Sequence, residues 1–218
     1  MNVIKKIIFG ILAITVLLAV AGIFLPSKYQ LERSVTILAP ADIVFDNVND
    51  LKKNEDWSPW KAADPTVKIS YGSLTEGKGA SYSWEGKKSG RGIYTIMRSE
   101  PGKSLEADMD FKEMGRADGY FTFVPEGKSV KVTQGMRGDN GWNIPHRYMS
   151  LLTDRVVGPM FESGLAKLKA LSEAQAVRPK EAGRATGQAS FPSAGGAAAA
   201  KVKADSAVPK VKAAPAAD

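Results

Sequence analysis

Residues 7–25, IIFGILAITVLLAVAGIFL, run for nineteen positions without a charge. As a helix the run spans about 28 Å, close to the roughly 30 Å hydrocarbon thickness of a bilayer. Lys5 and Lys6 precede it. The positive-inside rule therefore leaves the short N-terminus in the cytoplasm and exports the rest, with Lys28 and Arg33 tempering the bias from the other side. This reading makes residues 1–26 a single-pass anchor in the inner (cytoplasmic) membrane, with the following domain on the periplasmic, extracytoplasmic side. Two other readings stand beside it. Ala19-Val20-Ala21 fits a small-residue cleavage site after a twelve-residue apolar region, the mark of a removed signal peptide, although the run stays apolar through Leu25. A buried helix of a soluble domain is the third.

The opposite end changes character at Ala174. Residues 174–218 are built from Ala, Lys, Pro, Gly and Val with Phe191 as their one aromatic. Such a composition buries too little apolar surface to offset the entropy of ordering it, so a disordered tail is expected. Its lysines could meet an anionic surface. Of the formal net charge of +7, residues 1–25 carry +2 and residues 174–218 carry +4, which leaves about +1 for residues 26–173. A nearly neutral middle argues against a nucleic-acid footprint. The absence of cysteine removes disulfides, thiolate metal ligands and a cysteine nucleophile, and the single histidine, His146, removes a multi-histidine metal site. No cofactor is called for.

Between the ends lies one domain, residues 27–173. YQLERSVTIL alternates Leu31, Val35 and Ile37 with polar residues, as a half-buried strand does. Pro40 then opens a short helix with Ile43, Val44, Val48 and Leu51 at helical spacing. Six further strand-like segments follow, separated by short turns such as EGKKSG, EPGK and PEGK, so successive strands should pair antiparallel in a meander of about seven. Residues 145–174 return to helical spacing, with Gly158-Pro159 as the expected kink. The fold class is α+β: a curved antiparallel sheet packed on a long kinked C-terminal helix, with one transmembrane helix in front.

The aromatic residues suggest a cavity between sheet and helix. EDWSPW places Trp57 and Trp60 in a broken, polar stretch where the mouth of the sheet would be covered. Trp84, Phe121, Phe123 and Met136 belong to strands, Trp142 approaches the last helix, and Tyr148, Met149 and Phe161 lie on it. Same-parity strand residues share a face, so this set can converge on one interior as adaptable pocket walls. Taken singly, each of them is better explained as ordinary core than as a ligand contact.

Four segments, FLPSKYQLERSVTILAP, WSPWKAADP, GASYSWEGKKSGRG and RYMSLLTDRVVGPMFESGLAKLK, together resemble the membrane-anchored bacterial branch of the SRPBCC superfamily, of polyketide cyclase/dehydrase-like type. The resemblance covers residues 6–171 and implies a helix-grip, START-like fold with a hydrophobic cavity. Members of the superfamily bind lipids, sterols or polyketide-like molecules, and some are enzymes or co-chaperones. Fold alone does not select among these.

Catalytic sets are weak. Glu106, Asp108 and Asp110 recur at period two opposite Leu105, Ala107 and Met109, so they face solvent. His146 lies near Asp139 and could move protons in an aldol-type cyclisation, or simply end a helix. The sequence thus points first to a membrane-tethered domain that binds a hydrophobic small molecule or lipid. A protein-interaction module on the same fold and a cyclase- or aromatase-like enzyme are the alternatives.

Overall fold

The computed structural model describes residues 3–186, and the remainder of the expected tail, residues 187–218, lies outside the described residues. Helix α1 (Val3–Ile23) is long and apolar enough to cross a membrane by length and composition, and nearly all of it is exposed. The chain then enters β1 (Lys28–Ile37) and three helical pieces, α2 (Ala41–Asn49), α3 (Asn54–Trp57) and α4 (Trp60–Ala63). Strands β2 (Lys68–Tyr71), β3 (Ser81–Gly86), β4 (Gly90–Glu100), β5 (Ser104–Asp110), β6 (Arg116–Glu126) and β7 (Ser129–Asp139) follow, and α5 (Ile144–Ser150) and α6 (Thr153–Thr186) close the chain.

All seven strands form one antiparallel sheet in the order β1-β7-β6-β5-β4-β3-β2. Strands β2 to β7 are the expected meander. The first strand departs from it: β1 pairs with β7, not β2, because α2, α3 and α4 replace the short turn that consecutive pairing needs. Pro40 caps α2 rather than occupying its first turn.

Two differences concern the last helix. The interruption lies at residues 151–152, between α5 and α6, and α6 runs through Gly158-Pro159 without a break. Pro159 removes only the bond to the Arg155 carbonyl, and both residues lie on the exposed side, where water replaces it. The break falls where the packing partner changes: α5 lies against α1, and α6 against β1, α2 and α3. Helix α6 also continues to Thr186, past residue 174 where a tail was expected.

One face of the sheet is apolar because side chains alternate. Registers across the strands define rungs on this inner face. Leu31, Met136, Gly119, Ala107 and Ile96 form one rung, and Ala117, Met109, Tyr94, Tyr82 and Tyr71 form another. Glu106, Asp108 and Asp110 fall on the opposite face, where Asp108 meets Arg116 at 2.7 Å and Asp110 meets Lys112.

Helices cover the inner face through few anchors. Trp57 is 4% exposed, donates from Nε1 to the Asn47 carbonyl at 2.9 Å, and meets Phe121 edge-on with ring centroids 6.0 Å apart. Gly164 of α6 makes room for the adjoining Pro59, since a first side-chain carbon there would lie 3.1 Å from the proline ring. Asn47, fully buried, donates to Ser172 Oγ at 3.1 Å and to Gln175 Oε1 at 2.7 Å, which ties α2 to α6. Arg33 on β1 grips α6 from the side, with Asp154 and Glu162 each 2.7 Å away. Those two acids straddle Gly158, where a first side-chain carbon would lie 2.5 Å from Arg33 Nη2.

Asp64 is a second buried anchor, 2% exposed. It accepts from the Thr66 side chain at 2.5 Å, from the Lys88 and Ser89 N–H groups at 2.9 Å each, and from the Ser89 hydroxyl. These donors, Thr66 first, hold its carboxyl far below the usual carboxylate range. A depressed native pKa contributes stability above the unfolded value near about 4, lost as pH falls toward the native value. Thermal melts from neutral pH down to about pH 2 should therefore show an acid-side decline that Asp64→Asn flattens. Trp57→Ala should cost about 3–5 kcal/mol in urea unfolding, the usual range for emptying a buried aromatic site.

Candidate functional site

The buried apolar side chains fall into two clusters along the inner face. The larger gathers Ile37, Val130, Val132, Phe121 and Phe123 with Val44, Phe45 and Trp57 above them, and Leu165 and Leu168 of α6. The smaller contains Leu31, Ala117, Met136 and Phe161. Between them on adjacent strands lie Arg33 and Gln134, which are directly paired in register. The Gln134 Oε1 atom is buried and has no hydrogen-bond partner among the described residues, an exception to the rule that buried polar atoms are paired.

Helix α6 lies against β1, and on β2–β5 Ile96, Leu105 and Ala107 are buried while the rings nearer the β2 edge are less covered. There the inner face is an aromatic wall. Tyr82 and Tyr94 stack with centroids 5.2 Å apart and planes at 10°. Tyr71 approaches Tyr82 edge-on at 6.3 Å, and Trp84 lies 6.1 Å from Tyr82 and 5.6 Å from Phe111. All five rings are half-buried. Gly92 lets the Trp84 ring lie flat against β4, because any side chain at 92 would occupy the ring's place. Small residues, Ala107, Ala117 and Gly119, carry the face onward toward β7.

The tyrosines differ in their polar ends. The Tyr71 hydroxyl donates to Glu55 Oε1 at 2.7 Å, whereas those of Tyr82 and Tyr94 have no hydrogen-bond partner among the described residues. Burial pushes the Tyr82 phenol up to about 12, and burial with Tyr82 beside it pushes Tyr94 higher still. Both therefore stay protonated donors at ordinary pH and cannot serve as bases there.

The ten residues expected to line one cavity are divided by the structure. Trp84 belongs to the aromatic wall, Phe121, Phe123 and Trp57 to the larger cluster, and Met136 and Phe161 to the smaller. Four stand apart from the inner face. Trp60 is 41% exposed on α4, and Trp142 and Met149 are 81% and 58% exposed. Tyr148 turns to α1, donating to the Leu18 carbonyl at 2.8 Å. For Trp142, Tyr148 and Met149 the reason is the break at residues 151–152, which gives α5 to α1 instead of to the sheet. Tyr71 and Tyr94 were not singled out from sequence, although the parity of Tyr94 with Gly92 and Ile96 places it inward.

Two depressions flank the core. One of about 510 Å³ lies between Asp42, Phe45 and the Pro101-Gly102 turn, and one of about 290 Å³ between β1 and α6 at Arg33, Val35, Glu162 and Lys169. Neither takes in any of the ten expected residues. His146 is not joined to Asp139 among the described residues. Its N–H donates to Asn143 Oδ1 at 3.2 Å, and its carbonyl accepts from Asn140 at 3.2 Å, which is helix-end chemistry. Asp139 instead accepts from the Gly141 N–H at 2.9 Å.

Comparison with known proteins agrees with this architecture. Structural similarity extends to a Thermobifida fusca protein solved by NMR (TM-score 0.50, 19% identity, covering 64% of this chain and 90% of that one). Truncated norcoclaurine synthase from Thalictrum flavum is similar at TM-score 0.50 and 11% identity, over 66% of this chain and 92% of that one. The di-domain ARO/CYC StfQ of the steffimycin biosynthetic pathway gives TM-score 0.50 and 11% identity, over 68% of this chain and 52% of its own length. At such identities the likeness concerns the fold alone. No curated protein matches the chain. The family model described as polyketide cyclase/dehydrase and lipid transport matches residues 28–173, the whole span from β1 into α6. With its curved sheet, helix-grip arrangement and this match, the chain belongs to the polyketide cyclase/dehydrase and lipid transport family, within the SRPBCC superfamily.

Proposed function

We propose that this protein binds a hydrophobic small molecule or lipid chain against the aromatic wall of its inner sheet face, while α1 tethers it to a membrane. The observation that carries the reading is the Tyr82–Tyr94 stack, half-buried with two hydroxyls unpartnered among the described residues. A stacked aromatic surface attracts flat or flexible apolar groups, and an unpaired hydroxyl rewards a ligand that carries an acceptor. The family description, which joins cyclase and dehydrase chemistry to lipid transport, supports a ligand of this class. Within this reading, α1 remains in the inner membrane as a single pass, with Lys5 and Lys6 on the cytoplasmic side and the domain on the other.

Mass spectrometry of an organic extract of the purified protein tests the reading directly, and should recover an apolar passenger. An extract holding only buffer components, together with lipids and sterols that fail to quench tryptophan fluorescence, would count against it. For a ligand so identified, Tyr94→Ala should weaken binding by roughly tenfold or more, since removing one buried ring costs about 1.5–3 kcal/mol.

A further inference from the structure

Helix α5 has an unusual partner. It lies against the last turns of α1, and the contact is close because Gly22 is buried beneath Ile144 and Tyr148, where any side chain would collide with both. Arg147 seals the junction. The residue is 8% exposed, and its guanidinium donates from Nη1 to the Ile23 carbonyl at 2.8 Å and the Leu25 carbonyl at 3.0 Å, and from Nε to the Gly141 carbonyl at 2.8 Å. These Ile23 and Leu25 carbonyls follow the last full turn of α1 and have no helical donor, so a cation there also answers the helix dipole. The Trp142 ring packs on this guanidinium at 5.6 Å.

Around the seal the surface is apolar. Phe24, Trp142, Met149, Leu151, Leu152 and Val156 are between 55% and 83% exposed. Phe24 lies between two of the carbonyls that Arg147 holds, Trp142 covers Arg147, and the others continue through the α5–α6 joint. A set this large around one point marks an interaction surface.

The depth of the contact identifies what covers it. Tyr148 bonds to the Leu18 carbonyl, five residues before the end of α1. At 1.5 Å per residue, α5 therefore reaches about 7 Å back along α1 from its exit. If α1 crosses the bilayer, that depth is the headgroup and upper acyl region, where amphipathic helices bury about 5–10 Å and where Trp and Tyr concentrate.

We propose that α5 and the α5–α6 joint are embedded in the membrane interface, with bilayer lipid covering Phe24, Trp142, Met149, Leu151, Leu152 and Val156. The proposal rests on α1 being a membrane span. It makes the domain a body seated on the bilayer in one orientation, not a bead on a flexible stalk.

The cysteine-free chain allows a clean test with single nitroxide labels on the full-length protein in phosphatidylcholine vesicles. Labels go at Met149→Cys and Leu152→Cys, with Leu12→Cys inside α1 and Lys128→Cys on the β6–β7 turn as references. Power saturation then compares exposure to oxygen, which enters the bilayer, and to a water-soluble nickel chelate. The expected result is loss of nickel exposure and gain of oxygen exposure at 149 and 152 relative to 128, toward the behaviour of 12. Gly22→Leu, which forces α5 off α1, should return 149 and 152 to nickel while leaving 12 in lipid. If 149 and 152 match 128 while 12 remains lipid-exposed, the embedding is wrong and the anchor stands. Shielding of 149 and 152 from both reagents assigns the surface to protein instead and overturns the proposal. Nickel exposure at 12 removes the anchor, and the embedding with it.

Discussion

The inner face of the sheet has to be covered, and everything else in the domain follows from how that is done. Seven antiparallel strands present rungs such as Leu31–Met136–Gly119–Ala107–Ile96 on one side. Helix α6 covers the β1 side, and Trp57 and Phe45 bring α3 and α2 over Phe121 and Phe123. Trp57 is the keystone, because one side chain touches β6, hydrogen-bonds α2 and leans on α6 at Gly164. Roofing the sheet from one end leaves the other end lined by rings that are only half covered, and the proposed ligand site lies there.

Charge serves this arrangement at the edges rather than in the centre. Arg33 reaches from the β1 edge to two acids spaced two helical turns apart, and Gly158 between them keeps the path clear. Pairs of this exposure contribute little energy one at a time. Their geometry matches the rotation of α6 that its apolar stripe sets, with Phe161, Leu165 and Leu168 facing inward. Asp64 does comparable work at the far edge, holding the β3–β4 turn with backbone donors from Lys88 and Ser89.

Much of the fold was legible because period-two alternation and short turns are local signals. Leu31, Val35 and Ile37, or Leu105, Ala107 and Met109, announce their face without any knowledge of partners. The same logic separated Glu106, Asp108 and Asp110 from the interior. What failed were statements about which element meets which. Trp57 and Trp60 look alike in EDWSPW, yet one is core and the other surface, a choice set by where α6 passes. Gly158-Pro159 carries the strongest local breaker chemistry in the last helix, but the break moved to residues 151–152 because α1 claims α5. Tyr148, Met149 and Trp142 left the expected cavity for the same reason. Gln134 could not have been found at all, since an orphaned amide oxygen becomes visible only when its neighbours are in place.

The Arg147 seal bears on the fate of the N-terminal segment. Proteolysis after Ala21 would make Gly22 the new terminus, and its freed ammonium would emerge beside a guanidinium that already donates to the Gly22 carbonyl. A socket shaped by carbonyl oxygens for one cation would then hold two. In the uncut chain the same turn of carbonyls serves Arg147 alone, and that turn is what holds α5 in place.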